Sequence, residues 1–199
     1  ALHTTDSKVA QTALRLAAAM SDEQPEVRKE VQDFITNSYD NADPILQLQM
    51  VLTSDILETD IAFNILKKFL NKYDQYPVAR DVVMSSLHNK EFAFFNNIMS
   101  DAKWKTYDQN REIFVEMLVS AIAAKGAEEE IIPVLNKLNS TEDQETEWVT
   151  NAIINGILNS TAIRDEAKIE LTNAPLIFQK SNAGDGLDDN LVSSLEKLF

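Results

Sequence analysis

QYPVARDVVMSSL, residues 75–87, places a proline two residues in and an arginine three residues after it, then continues with apolar residues at helical spacing. With the preceding aspartate the pattern is Asp74-x-x-Pro77-x-x-Arg80, and the same order stands at Asp22-x-x-Pro25-x-x-Arg28. A weaker copy, Asn41-x-x-Pro44-x-x-Gln47, lies between them. Proline at the first helical position loses nothing, because that N–H has no partner within the helix. An arginine one turn in can reach a carboxylate or loop carbonyl of an adjacent unit and help set its stacking. The pattern therefore reads as a repeated helix opening, and Asp22, Pro25, Arg28, Pro44, Asp74, Pro77 and Arg80 take structural roles between repeats. Anion binding by Arg28 and Arg80 is the sharper alternative. The two full copies do not stand one repeat length apart, which puts them on non-equivalent helices.

Outward from these openings, apolar residues recur at i, i+3, i+4 and i+7 along nearly the whole chain. One face of the first segment collects Val9, Ala13, Leu16, Ala17 and Met20, and the third collects Ile45, Leu48, Val51 and Leu52. A longer segment points Phe114, Met117, Leu118 and Ala121 inward. The spacing predicts ten helices, over 6–20, 24–38, 43–53, 56–72, 76–88, 90–100, 107–125, 127–138, 143–158 and 162–173. Ser21 with Gln24, Thr106 with Gln109 and Thr141 with Gln144 fit the capping-box pattern, and Gly126 fits a helix C-terminus. Asp43 before Pro44 is a good N-cap.

Helix pairs begin near Asp6, Asp43, Asp74, Asp108 and Gln144, at intervals of 37, 31, 34 and 36 residues. A period in that range marks an α-solenoid. The expected fold is all-α, about five antiparallel helix pairs in a right-handed HEAT- or armadillo-like stack over 1–173 with one continuous core. Residues 174–199 follow as a linker and a short capping helix of the same domain.

The openings DPILQLQ (43–49) and QYPVARD (75–81) resemble those of HEAT repeats. The run from Asp43 through Leu87, with DAKW at 101–104 and the segment around REIFVEMLVSAIAAKG, is similar to a narrower group. These are the HEAT segments of large bacterial exported dehydrogenase-like proteins that also carry a β-propeller and a c-type cytochrome domain. Gln47 departs from that pattern, which has Arg there. The resemblance covers about residues 5–158 and implies an exported, periplasmic setting. Haem and quinone would belong to other domains, so no cofactor is expected on these residues. A chain that starts at Ala1 without Met is expected to be part of a longer protein.

Composition narrows the function. The net charge is −14, so phosphate backbones are repelled and nucleic acid is not an expected partner. There is no cysteine, which removes disulfides, thiolate chemistry and haem attachment from these 199 residues. No apolar run is long enough for a membrane span. Neither a phosphate-binding glycine loop nor GxSxG occurs. His3 and His88 lack partners at metal-ligand spacing. The acidic clusters at 128–130 and 142–147 read as helix starts and solvated faces, and 182–189 as an acidic loop rather than a calcium site.

The aromatic residues near helix starts, Tyr76, Trp104, Tyr107 and Trp148, are the candidates for partner binding; packing in a seam between repeats is the alternative for the tryptophans. The expected function is a non-catalytic scaffold or docking module acting on protein: neighbouring domains or a basic partner. A free-standing peptide-binding adaptor is the alternative. An enzyme with an acidic helical cleft is a third.

Overall fold

The computed structural model describes residues 2–138 and 147–163, and these are helical throughout apart from turns and connections, with no strand among them. Among the described residues nine α-helices follow one another: α1 Ser7–Met20, α2 Pro25–Ser38, α3 Pro44–Leu52, α4 Thr59–Tyr73, α5 Pro77–Ser86, α6 Glu91–Met99, α7 Gln109–Lys125, α8 Glu128–Lys137 and α9 Glu147–Ile163. Single 3-10 turns lie at Tyr39–Asn41, Ser54–Ile56 and Ala102–Trp104. The all-α expectation and the first eight helices agree with this to within a few residues. The ninth continues to Ile163, through the break expected after 158. The expected helix at 162–173 falls almost entirely outside the described residues, as do the Thr141 capping box, the 182–189 loop and the tail.

Helix starts show why the chain breaks where it does. Pro25, Pro44 and Pro77 each occupy the first turn of their helix. Asp6, Asp43 and Asp108 cap α1, α3 and α7 by accepting two backbone N–H bonds each. The capping boxes expected at Ser21 and Thr106 do not form. Ser21 instead ends α1, its hydroxyl donating to the Ala18 carbonyl, while Pro25 opens α2 without a side-chain cap. Asp108 displaces Thr106 because a carboxylate two residues nearer the first turn meets the free N–H groups directly. At Asp43 the carboxyl is held below its ordinary range, first by the Ser7 hydroxyl and then by the backbone N–H of Leu46. Gly126 ends α7 with φ 71°, a left-handed geometry that glycine adopts freely.

Contacts gather the chain into two compact units, one up to Asn89 and one from Lys90 onward. In the first, α1 packs on α2 and α3, and α3 packs on α4 and α5. Ser7 meets Asp43 and Arg15 meets Gln49, so α1 and α3 run parallel with α2 as the return between them. Leu14, Ile35, Met50 and Leu66 are fully enclosed here. In the second, α7 is the hub and contacts α6, α8 and most extensively α9. Phe94, Phe95, Phe114, Leu118 and Ile122 fill that core. On α7 the expected Phe114 and Leu118 are buried, Met117 and Ala121 are only half-buried, and Val115, Val119, Ser120, Ile122 and Ala123 are enclosed in addition, so the helix is inward on more than one side.

Two inward faces are corrected. On α1 the core takes Ala10 and Leu14, while Val9, Leu16 and Met20 are exposed. On α3 the core takes Leu46, Gln47, Met50 and Val51, leaving Ile45 and Leu52 outside. Both helices carry apolar residues on more than one face, and the meeting angle with neighbours, rather than the period, selects the stripe.

α7 and α9 approach so closely that a methyl group on Gly156 would lie 2.6 Å from the Glu116 carbonyl oxygen and 2.8 Å from Val119 Cβ. The blocking atoms include backbone, so relief requires the helices to separate. Gly156→Ala should therefore destabilise the protein by about 1–3 kcal/mol despite alanine's better helix propensity. Urea denaturation checks this; an unchanged or raised midpoint would contradict the close crossing.

Candidate functional site

The repeated openings come first, because they hold the loops. Arg28 donates to the Asp22 carboxylate of its own motif at 2.8 Å. Arg80 donates to the Asp74 backbone carbonyl at 3.0 Å, again six residues back. Gln47, the departure from the pattern, does the same job: its amide donates to the Tyr39 carbonyl at 2.7 Å. Its oxygen accepts from Tyr73 Oη at 2.7 Å and from Lys72 Nζ at 3.0 Å. Each residue three positions after the proline thus ties its helix to the loop before it. Pro25 and Pro77 begin helices in different settings, α2 packing on α1 and α5 on both α3 and α4.

Burial separates the two arginines. Arg80 is 8% exposed, whereas Arg28 and Asp22 form a solvated pair with side chains 48% and 85% exposed. A solvated pair contributes little, and a buried guanidinium tied to a carbonyl contributes more. Arg80→Ala should cost about 2–3 kcal/mol and Arg28→Ala under about 1 kcal/mol. Thermal unfolding of the two variants side by side tests the ranking, and equal losses would contradict it.

The aromatic candidates separate just as clearly. Tyr76 is exposed at the start of α5, in the first unit. Trp104 is 3% exposed: its ring lies 6.0 Å from Phe114 and the Arg111 guanidinium sits 5.6 Å above it. Enclosed in this way, Trp104 has no surface for a partner and belongs to the core. Tyr107 and Trp148, 41 residues apart in sequence, meet edge to face with centroids 6.5 Å apart.

Around that pair opens a cleft of about 480 Å³, lined by Lys105, Thr106, Tyr107, Glu112, Glu147, Trp148 and Asn151. The segment before α7, the first turn of α7 and the first two turns of α9 supply it. Trp148 is 5% exposed and its indole N–H donates to the Lys105 carbonyl at 3.4 Å, which fixes the ring as a wall. Tyr107 is 58% exposed and presents its ring to solvent. Arg111 donates to the Lys103 and Thr106 carbonyls at 2.5 and 3.3 Å, which holds the loop beneath Tyr107. Sequence reasoning named the aromatic pair but read Glu147 as a helix-start acid and did not single out Glu112. Their only sequence signal is adjacency to Trp148 and to the Tyr107 loop.

The phenol of Tyr107 is raised above its ordinary value, first by desolvation, then by the Glu112 charge and hydrogen bond and by Asp108. The cleft thus carries a negative field. No group of three or more His, Asp or Glu side chains among the described residues could hold a metal ion. Among the described residues Lys105 is the one cation lining the cleft, against two carboxylates.

The histidines lie elsewhere. His3 meets Phe34 edge to face with ring centroids 5.5 Å apart, and Leu2 beside it is buried. His88 follows α5 at φ 43° with Asp55 3.9 Å away. No helix among the described residues is long and apolar enough to cross a membrane. Comparison with protein-family models, curated proteins and solved structures yields no match.

Because the raised phenol is the protonated form, Tyr107 donates to Glu112 at neutral pH. Folding holds this proton more tightly than the unfolded chain does. The corresponding stability is complete below the ordinary tyrosine value of 10.0 and is lost as pH rises through the folded value. Ultraviolet titration should show this tyrosine ionising above the ordinary value, and Glu112→Gln should bring it down. An unchanged titration in that variant would remove Glu112 as a cause.

Proposed function

We propose that this chain is a non-catalytic, HEAT-like docking module that binds a basic segment of a partner protein. One observation carries the reading: two of the aromatic partner-binding candidates, Tyr107 and Trp148, come together among the described residues to form an open, carboxylate-rimmed cleft. Such a cleft suits a cationic group, because ring faces and carboxylates both favour positive charge. Parallel helices joined by a return helix, as α1 and α3 are, support the repeat reading. The net charge of −14 would draw a basic partner from a distance.

A positioning role of this kind also fits the larger exported dehydrogenase–cytochrome chains that the run from Asp43 through Leu87, with DAKW and the segment around REIFVEMLVSAIAAKG, resembles, with haem and quinone on other domains. Calorimetric titration separates docking from a passive spacer. Short arginine- and lysine-rich peptides should bind, glutamate-rich peptides should not, and raising the salt from ~20 to ~300 mM should weaken binding by about tenfold or more. Failure of every basic peptide to bind at low salt would overturn the docking reading.

A further inference from the structure

Two aromatic rings and two carboxylates around one opening are more than a generally acidic surface. We infer that the Tyr107–Trp148 cleft receives an arginine side chain of the partner, an inference that rests on the docking reading and gives it a location and a residue. The wall is rigid where rigidity matters: the Trp148 indole is held by the Lys105 carbonyl at 3.4 Å and is nearly enclosed. Tyr107 leans on it edge to face and leaves its own ring exposed. A planar guanidinium can stack on that ring while its N–H edge meets a carboxylate in the same plane.

Glu112 and Glu147 line the opening from α7 and α9 respectively, so a group entering between the helices meets acids from both. Glu112 lines the cleft together with Tyr107, and its charge and hydrogen bond act on the phenol. Thr106 and Asn151 add neutral polar groups at the rim suited to a peptide backbone. The volume, about 480 Å³, falls within the range of clefts that hold small ligands. The protein uses the same contact internally: the Arg111 guanidinium sits over the Trp104 ring 5.6 Å from its centroid. An ammonium group makes only point contacts and stacks less well, which favours arginine over lysine. Lys105 is the cation an incoming guanidinium must outcompete, and its neutralisation should tighten binding.

The test is titration of the full chain, followed by the ¹⁵N–¹H signals of the tryptophan indoles and backbone amides. The ligands are acetyl-Gly-Arg-Gly-amide and its citrulline analogue, a neutral molecule of nearly the same shape. The arginine peptide should move the Trp148 indole signal and the amides of 105–112 and 147–151, and the citrulline peptide should move none of them. Tyr107→Ala and the Glu112→Gln/Glu147→Gln pair should each weaken binding at least tenfold, and Lys105→Gln should strengthen it. Tyr107 is largely exposed, so its truncation should leave the other amide signals in place. Equal shifts with citrulline, or full affinity in both variants, would overturn the inference. Shifts confined to other acidic surfaces would overturn it and leave the docking reading standing; binding by no basic peptide would end both.

Discussion

The approach of α9 to α7 at Gly156 governs the second unit. With Glu116 O and Val119 against the position of a side chain, the two backbones come nearer than any larger residue would allow. Ala152 and Ser160, one turn either side, are also small and fully buried, so the contact is extended along the helix. Gly156 lies against Glu116 and Val119 while Trp148 lies against Tyr107, which makes the helices parallel and sets their starts side by side. The cleft is a consequence of that geometry. A wider crossing would draw Trp148 away from Tyr107 and open the wall between them.

The first unit depends on a different device, the tie from the first turn of a helix to the loop before it. Three chemistries perform it: a solvated ion pair at Arg28, a buried guanidinium on a carbonyl at Arg80, and a buried amide at Gln47. The substitution that looks degenerate in the sequence is the most enclosed of the three. Glutamine carries no charge, so it enters the core without a counter-ion, and its oxygen gathers Tyr73 and Lys72 from α4. Nearby, burial pushes the Tyr39 phenol above its ordinary range, consistent with a ring enclosed in the same interior.

Helix content was legible because the apolar period, the prolines and the capping aspartates agree at each start. The inward face was more legible where one apolar side dominates, as in α4, where Ile65, Leu66, Phe69 and Leu70 of the helical stripe are buried and Ile61 is half-buried. It failed on α1 and α3, whose second apolar side is visible in the sequence but cannot be ranked without the neighbour. Ser21 and Thr106 misled because several residues near a helix start can cap, and only geometry decides which one meets the free N–H groups. For the site, the aromatic types and their place near helix starts were legible. The meeting of Tyr107 with Trp148 was not, since it is made by the packing of α7 on α9 and has no local signal.

Long-range attraction and selective recognition are separate problems for an acidic protein. A net charge of −14 favours approach of any basic segment and is screened within about 10 Å at ordinary ionic strength. It cannot tell one cation from another. Discrimination needs groups whose positions are fixed before the ligand arrives, because otherwise binding must also order them. Trp148 is fixed by burial and by the Lys105 carbonyl, and the loop under Tyr107 is fixed by Arg111. The exposed Val9, Leu16 and Met20 of α1 offer area without direction. The cleft offers less area but a ring face and carboxylates at set positions, and it is there that shape and charge can act together.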